Sequence, residues 1–364
     1  MEVPVRSYSL DSFYSWLDDK GRDFSRRLKL VCLLSSSPSW SESSQLPTLE
    51  DLLRRQGFTL RSMGEIKEIT TTYKDPDTDR ATEVRLYCHL DKETQILRCF
   101  TNARTKDLAK TIFPLTERPG LHKLWIDPKT FREIQIRILQ RPGARVTQFS
   151  AARLSSLSPD ARVRPDTPRR MRYSGADAQQ TLEETAYQYG VIPDLVSFSI
   201  PGIGSLQVSK NGTFWFSGDE MRFLEEISEI AINHVLSTKR IIDSSRVEAF
   251  QMKTAKKELE LFHLKPWTIE FGRTIAAEEV EDLFQELETN KFVVYNSVIM
   301  KGSLHAECTI LDDVKQTVFT ITTDDRRISL SPRYQSSFES FFRFYQTVVE
   351  KFDTGAVCME AAAF

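Results

Sequence analysis

The chain is poor in the residues that build redox, metal and nucleophilic centres. It has five cysteines and five histidines in 364 residues. Cys32, Cys88, Cys99, Cys308 and Cys358 are odd in number and scattered, with no C-x-x-C spacing. That excludes a disulfide framework and a zinc ribbon. Cys88 and Cys99 fall in apolar, strand-like contexts and are expected to be buried free thiols of a reducing compartment. None of His89, His122, His234, His263 and His305 has an i, i+4 partner or a cysteine at zinc spacing. No G-x-S-x-G, P-loop or kinase triplet occurs. No apolar run approaches the roughly 18–20 residues that span a bilayer. The N-terminal MEVPVRSYSLDSFYSWLDDKGRD carries acids early and has no apolar signal core. The expectation is an unexported, cytoplasmic protein with no cofactor and no membrane partner.

What is present is an ordinary globular composition, 40% hydrophobic and 27% charged. The length allows about two or three domains with sizeable cores. The net charge of −2 hides an asymmetry. Residues 1–175 hold 31 Lys and Arg against 22 Asp and Glu; residues 176–364 hold 18 against 29. The basic half is Arg-rich, with 22 Arg to 9 Lys. Such a split points toward nucleic acid or another polyanion, or to two halves that attract each other.

Hydrophobic periodicity organises the chain. Phe13, Trp16 and Leu17 share a helical face. Leu28 to Leu34 form an apolar run, a buried strand or helix segment. Residues 35–47 are a Ser-rich loop. Thr48 and Asp51 have capping-box spacing, with Gly57 as a stop. Around 122–150, Asp127-Pro128 suits a helix start while Ile134, Ile136 and Ile138 alternate as in a strand. A helix is predicted over 177–189, a charged helical connector over 246–262, and for GAVCMEAAAF either a disordered end or a segment that docks into a partner or a second copy. Residues 151–175, with Pro159, Pro165, Pro168 and many arginines, are the expected boundary. The domains are therefore set at 1–150 (basic), 151–175 (linker), 176–245 and 246–364.

Three stretches share one order, a hairpin feeding an amphipathic helix: 82–113, 203–236 and 316–352. In the second, Leu206 and Val208 share a face, Asn211-Gly212 predicts a two-residue type I′ turn, and Phe214 and Phe216 share a face. Ser217 and Glu220 then have capping-box spacing. Phe223, Leu224, Ile227, Ile230, Ala231, His234 and Val235 make a helical stripe. The third ends in the strongest stripe, Phe338, Phe341, Phe342, Tyr345, Val348, Val349 and Phe352. The fold class is α+β: antiparallel sheets with packed amphipathic helices and repeated hairpin-helix units. Residues 203–236, with GTFWFSGDEMRFLEEI, resemble the hairpin-plus-helix half-repeat of the TATA-box-binding-protein family. The resemblance implies architecture alone, since the paired intercalating phenylalanines are absent.

Few motifs carry chemistry. Gly202-Ile203-Gly204 lacks the third glycine of a dinucleotide fingerprint and precedes a strand, so a turn is expected. Asp75, Asp77 and Asp79 have calcium-loop spacing, but Arg80 and Leu86 stand where glycine and glutamate are needed. Glu65-Ile66-Lys67 with Asp51 has the loose shape of a metal-dependent nuclease triad. Asp312-Asp313 and Asp324-Asp325 fall at turns. The candidate binding residues are Arg141, Arg145, Arg153, Arg162, Arg164, Arg169, Arg170 and Arg172, opposed by Asp160 and Asp166 alone, with Tyr173 and Phe149 as stacking platforms. The expected function is a non-enzymatic binding or assembly subunit. Its basic half would contact nucleic acid or another polyanion, and its acidic half would contact protein or a second copy. The alternatives are a metal-dependent phosphodiester hydrolase and a purely structural subunit.

Overall fold

The computed structural model describes residues 7–19, 28–35, 48–75, 79–118, 120–153, 170–189, 191–244, 247–253, 258–264, 266–300, 304–333 and 338–359. The fold is α+β with antiparallel sheets. The chain divides into two compact units, Met1–Arg153 with Asp160–Val235, and Leu154–Pro159 with Leu236–Phe364.

The first unit runs α1 (Leu10–Asp19), β1 (Leu28–Ser35), α2 (Leu49–Arg55), β2 (Thr59–Met63), β3 (Ile66–Lys74), β4 (Ala81–Leu90), β5 (Ile96–Thr101) and α3 (Thr105–Lys110). It continues with β6 (Leu121–Lys123), α4 (Pro128–Leu139), β7 (Arg145–Arg153), β8 (Arg170–Ser174), α5 (Ala178–Tyr189), β9 (Val191–Ile200), β10 (Gly204–Ser209), β11 (Thr213–Gly218) and α6 (Met221–Ser244), inside which the division falls. These strands form one sheet in the order β2-β3-β4-β5-β1-β11-β10-β9-β7-β8, with β6 on β1 beside β11.

The apolar run 28–34 is the centre of this sheet. All eight residues of β1 are buried, because the strand has neighbours on both edges and helices over both faces. On one face Val31, Leu33, Cys88 and Cys99 pack with Leu49 and Leu53 of α2 and Leu108 of α3. On the other, Phe100 meets Phe13 at 5.4 Å and Tyr14 at 5.5 Å. Each such fully buried side chain contributes about 1.5–3 kcal/mol. The Thr48–Asp51 capping box is present and starts α2. Asp127 caps α4, accepting from Thr130 N at 2.6 Å, so the alternation of Ile134, Ile136 and Ile138 belongs to a helix.

The second unit has β12 (Val247–Lys253) paired with β13 (Glu258–Leu264), then β14 (Trp267–Glu270), α7 (Ala277–Thr289), β15 (Phe292–Met300), β16 (His305–Asp312), β17 (Thr317–Thr323), β18 (Arg327–Pro332), α8 (Phe338–Thr347) with a π-helical turn Val348–Phe352, and β19 (Val357–Met359). Its main sheet is ordered β15-β16-β17-β18-β14-β19. Phe319 and Trp267 pack under Phe341 of α8, at 5.3 Å and 6.0 Å.

The hairpin-helix repeats are β4-β5-α3, β10-β11-α6 and β17-β18-α8. Two of them close a larger frame. In both β1-α2-β2-β3-β4-β5-α3 and β14-α7-β15-β16-β17-β18-α8, the strand before the first helix pairs antiparallel with the last strand of a four-strand meander.

Several expectations are corrected. The stretch 151–175 is not all linker: residues 151–153 belong to β7 and 170–174 to β8, and these strands pair with each other and, through β7, with β9 in one sheet. A long excursion between two strands has the same composition as a linker. Residues 176–235 accordingly belong with 1–153. Within the expected helical connector 246–262, the described residues 247–253 and 258–262 are not helical but lie on the β12–β13 pair, where ELEL at 258–261 alternates with period two. The Asn211-Gly212 turn is a three-residue loop: Ser209 pairs with Thr213, Gly212 N donates to Ser209 O at 3.1 Å, and of the loop only Gly212 takes positive φ, at 66°. This is a type I turn with a G1 bulge. Ser217 does not cap α6; Met221 N donates instead to Asp18 Oδ1 at 2.9 Å. The tail 357–359 is a strand on β14; residues 360–364 lie outside the described residues.

Candidate functional site

The face of the first sheet that α2 and α3 cover over β2–β5 loses that cover beyond β1. Register places one row of side chains across it: Ser174, Gln148, Ser197, Gln207, Trp215, Lys29 and Thr101. From β8 to β1 this row spans about 24 Å at the usual strand spacing. A second row holds Arg145, Ser199, Ser205 and Ser217. A third pairs Arg172 with Ser150, and Arg170 follows two residues back.

This alternation follows from the strands themselves. Phe198, Leu206 and Phe216 enter the core, at 1% exposure each, which turns Ser197, Gln207 and Trp215 outward. Ser197, Gln207, Trp215 and Ser217 are half-buried, while Arg145, Arg170, Arg172 and Ser205 are exposed. No acid stands on these rows. Around Trp215 the surface sinks into a groove of about 730 Å³, walled on one side by Asn102, Arg104 and Thr105. Lys29 lies at its floor and donates from Nζ to Ala103 O. Gln207 Nε2 donates to Ser197 Oγ at 2.9 Å, and Thr147 Oγ1 to Ser197 O at 3.3 Å. Close approach of the backbone shapes the far end. Gly204 and Gly218 face each other in register, and a Cβ on Gly204 would lie 2.0 Å from Ser217 O.

The arginine candidates divide. Arg145, Arg170 and Arg172 share the open face, with the Arg172 guanidinium 2.7 Å and 2.9 Å from the Gln148 side-chain amide oxygen. Arg141 is turned away: it pairs with Glu226 of α6 at 3.0 Å and lies 5.4 Å from the Phe223 ring. Arg153 closes β7. Arg162, Arg164 and Arg169 lie outside the described residues. The stacking platforms are corrected. Phe149 is in the core at 0% exposure, and Tyr173 stacks on it at 5.8 Å. The Tyr173 hydroxyl donates to Asp177 at 2.7 Å, which raises its pKa. Sequence reasoning missed Trp215, Gln207, Lys29 and Arg104. The signal for Trp215 was available: a strand with Phe214 and Phe216 on one face carries Trp215 on the other.

The remaining motifs are structural. Asp75 pairs with Lys106 at 3.0 Å and Asp79 with Lys74 at 2.6 Å; Asp77 lies outside the described residues. Asp51 is engaged in its capping box, and Glu65 accepts from Leu10 N at 3.1 Å. Asp324 accepts from Arg326 N and Arg327 N, at 2.8 Å and 2.9 Å. His234 Nε2 stands 2.6 Å from Asp127 Oδ2. Burial alone would raise the Asp127 pKa; His234 and the Thr130 amide outweigh it and hold the carboxyl below its usual range. Among the described residues no three His, Cys, Asp or Glu side chains gather to hold a metal. Among the described residues no His, Cys, Asp or Glu lines the groove. The arrangement offers guanidinium groups for phosphate, an indole face and fixed amide and hydroxyl groups.

No helix among the described residues is long and apolar enough to cross a membrane. No family model matches the chain, and no solved structure matches it. Its sequence is similar to that of an uncharacterized protein of Archaeoglobus fulgidus, 24% identical over 358 residues that cover 94% of each chain.

Proposed function

We propose that the chain is a non-enzymatic binding protein that holds nucleic acid, or a polyanion of the same charge density, on the open sheet face of its first unit. The observation that carries this reading is the gathering of Arg145, Arg170 and Arg172 on one face whose described rows carry no acid, the face that also holds the Trp215 groove. A groove lined by neither carboxylate nor imidazole favours binding over hydrolysis. The second unit supplies the protein contact: Val293, Tyr295, Val298 and Met300 line one face of the edge strand β15, with Val298 57% exposed.

Fluorescence anisotropy of a labelled oligonucleotide, titrated with the full chain across a salt series, tests the reading. Three to four phosphate contacts predict a slope of about −2 to −3 in log K against log salt for a single strand. The joint variant Arg145→Gln, Arg170→Gln, Arg172→Gln is expected to flatten it. No binding to any polyanion at low salt refutes the proposal.

A further inference from the structure

We infer that the nucleic acid is single-stranded and that one of its bases stacks on Trp215. This inference rests on the binding reading above and adds the class of ligand. Trp215 is the fifth residue of the seven-residue row, with Lys29 beside it on β1 and Gln207 on β10. Phe214 and Phe216 are anchored in the core at 0% and 1% exposure, so the strand cannot rotate and the indole stays on the open face. Its neighbours along β11 and β10 on that face include Ser217 and Ser205, small side chains that leave space beside the ring. The groove, at about 730 Å³, is of the size that takes one or two small planar groups. Gln207 is held in place by its bond to Ser197, so a fixed amide borders the same space.

A duplex does not fit this arrangement. Its bases present only their edges, and their faces are occupied by neighbouring bases. Asn102, Arg104 and Thr105 line the same groove as the indole, so a ligand on Trp215 also meets their side chains. An unpaired base can leave its own strand, enter and stack, while the arginines of β7 and β8 hold phosphates on the neighbouring rows of the same face. Base–aromatic stacking is sequence-tolerant, so a homopolymer is a suitable probe.

The test uses the full-length chain and four labelled or competing probes: dT12, rU12, a 12-base-pair DNA duplex and heparin. The expected result is tighter binding of dT12 or rU12 than of the duplex, the tighter of the two naming the source as DNA or RNA. Trp215→Leu is expected to weaken single-strand binding on the order of tenfold to a hundredfold, with heparin binding unchanged. Trp215→Phe, which keeps a stacking face, is expected to recover most of the loss, and it also controls for misfolding. If Trp215→Leu binds the single strands as tightly as the parent, or the parent prefers the duplex, stacking is wrong while heparin binding leaves the surface reading standing. If neither oligonucleotide nor heparin binds at low salt, both fall together.

Discussion

Replacing Asp312 by alanine should unfasten the second unit. Asp312 ends β16 with 0% exposure, and its carboxylate accepts from Val314 N at 3.0 Å, Lys315 N at 3.1 Å and Ser340 Oγ at 2.8 Å. It also accepts from Arg343 of α8, whose side chain is 15% exposed. One side chain thus closes the β16–β17 turn and ties it to the helix over the sheet. Alanine leaves two turn amides without this acceptor and a largely buried guanidinium without its counter-charge. Arg343 keeps Asn290 O at 2.9 Å and the Phe292 ring at 4.7 Å, which limits the damage. Breaking a buried ion pair from one side costs about 3–5 kcal/mol, and we take about 4 here. Domain stabilities are about 5–15 kcal/mol, so this is a large fraction. The assay is urea unfolding followed by hydrogen exchange in peptides from β16 to α8. The neighbouring Asp313→Ala, on an exposed residue, should stay within about 0.5 kcal/mol. An Asp312→Ala protein within about 1 kcal/mol of the parent would refute the reasoning.

Three further perturbations have definite expected outcomes. The native pKa of Asp127 lies below its unfolded value, so its contribution is complete above about pH 4 and is lost as pH falls through the native pKa. Calorimetry between pH 5 and 2 should show a shallower decline for Asp127→Asn; equal slopes would contradict the assignment. Gly204→Ala, at φ 132° with a carbonyl 2.0 Å from the new Cβ, should cost about 2–4 kcal/mol, readable as a fall in Tm. Burial pushes the thiols of Cys32, Cys308 and Cys358 up to about 12. At pH 8 the folded chain should resist iodoacetamide at these positions, and all five cysteines should react in guanidinium; rapid native labelling would count against the packing.

Much of the fold was legible because local signals agreed with tertiary packing. The alternation in TFWF, the stripe of α6 and the Thr48–Asp51 box each have one physical reading, and each is found. What failed was non-local. Nothing in the composition of 151–175 reveals that its two ends lie on β7 and β8 and that these strands pair with each other, because hydrogen bonds between strands leave no trace in the intervening residues. The cap of α6 was assigned to Ser217, the nearest suitable side chain, while Asp18 from the start of the chain supplies it. The arginines were visible as a cluster, yet Arg141 lies in the turn after α4 and pairs with Glu226, and placing Arg145 on the same face as Arg170 and Arg172 needs the bulge between Val146 and Gln148. Trp215 was hidden by attention to the phenylalanines on either side.

The placement of β1 has a consequence for the order of events during synthesis. Val31 finds one partner in Cys99 and another in Thr213, which is made about 180 residues later. At ribosomal rates of roughly 5–20 residues per second, Val31 waits about 6–23 s after Cys99 is made with its other edge unpaired. Leu28 to Leu34 carry one charged residue, Lys29, in an otherwise apolar segment. Nascent chains stalled between β5 and β11 should therefore be the most chaperone-dependent and the most prone to self-association of any along this sequence.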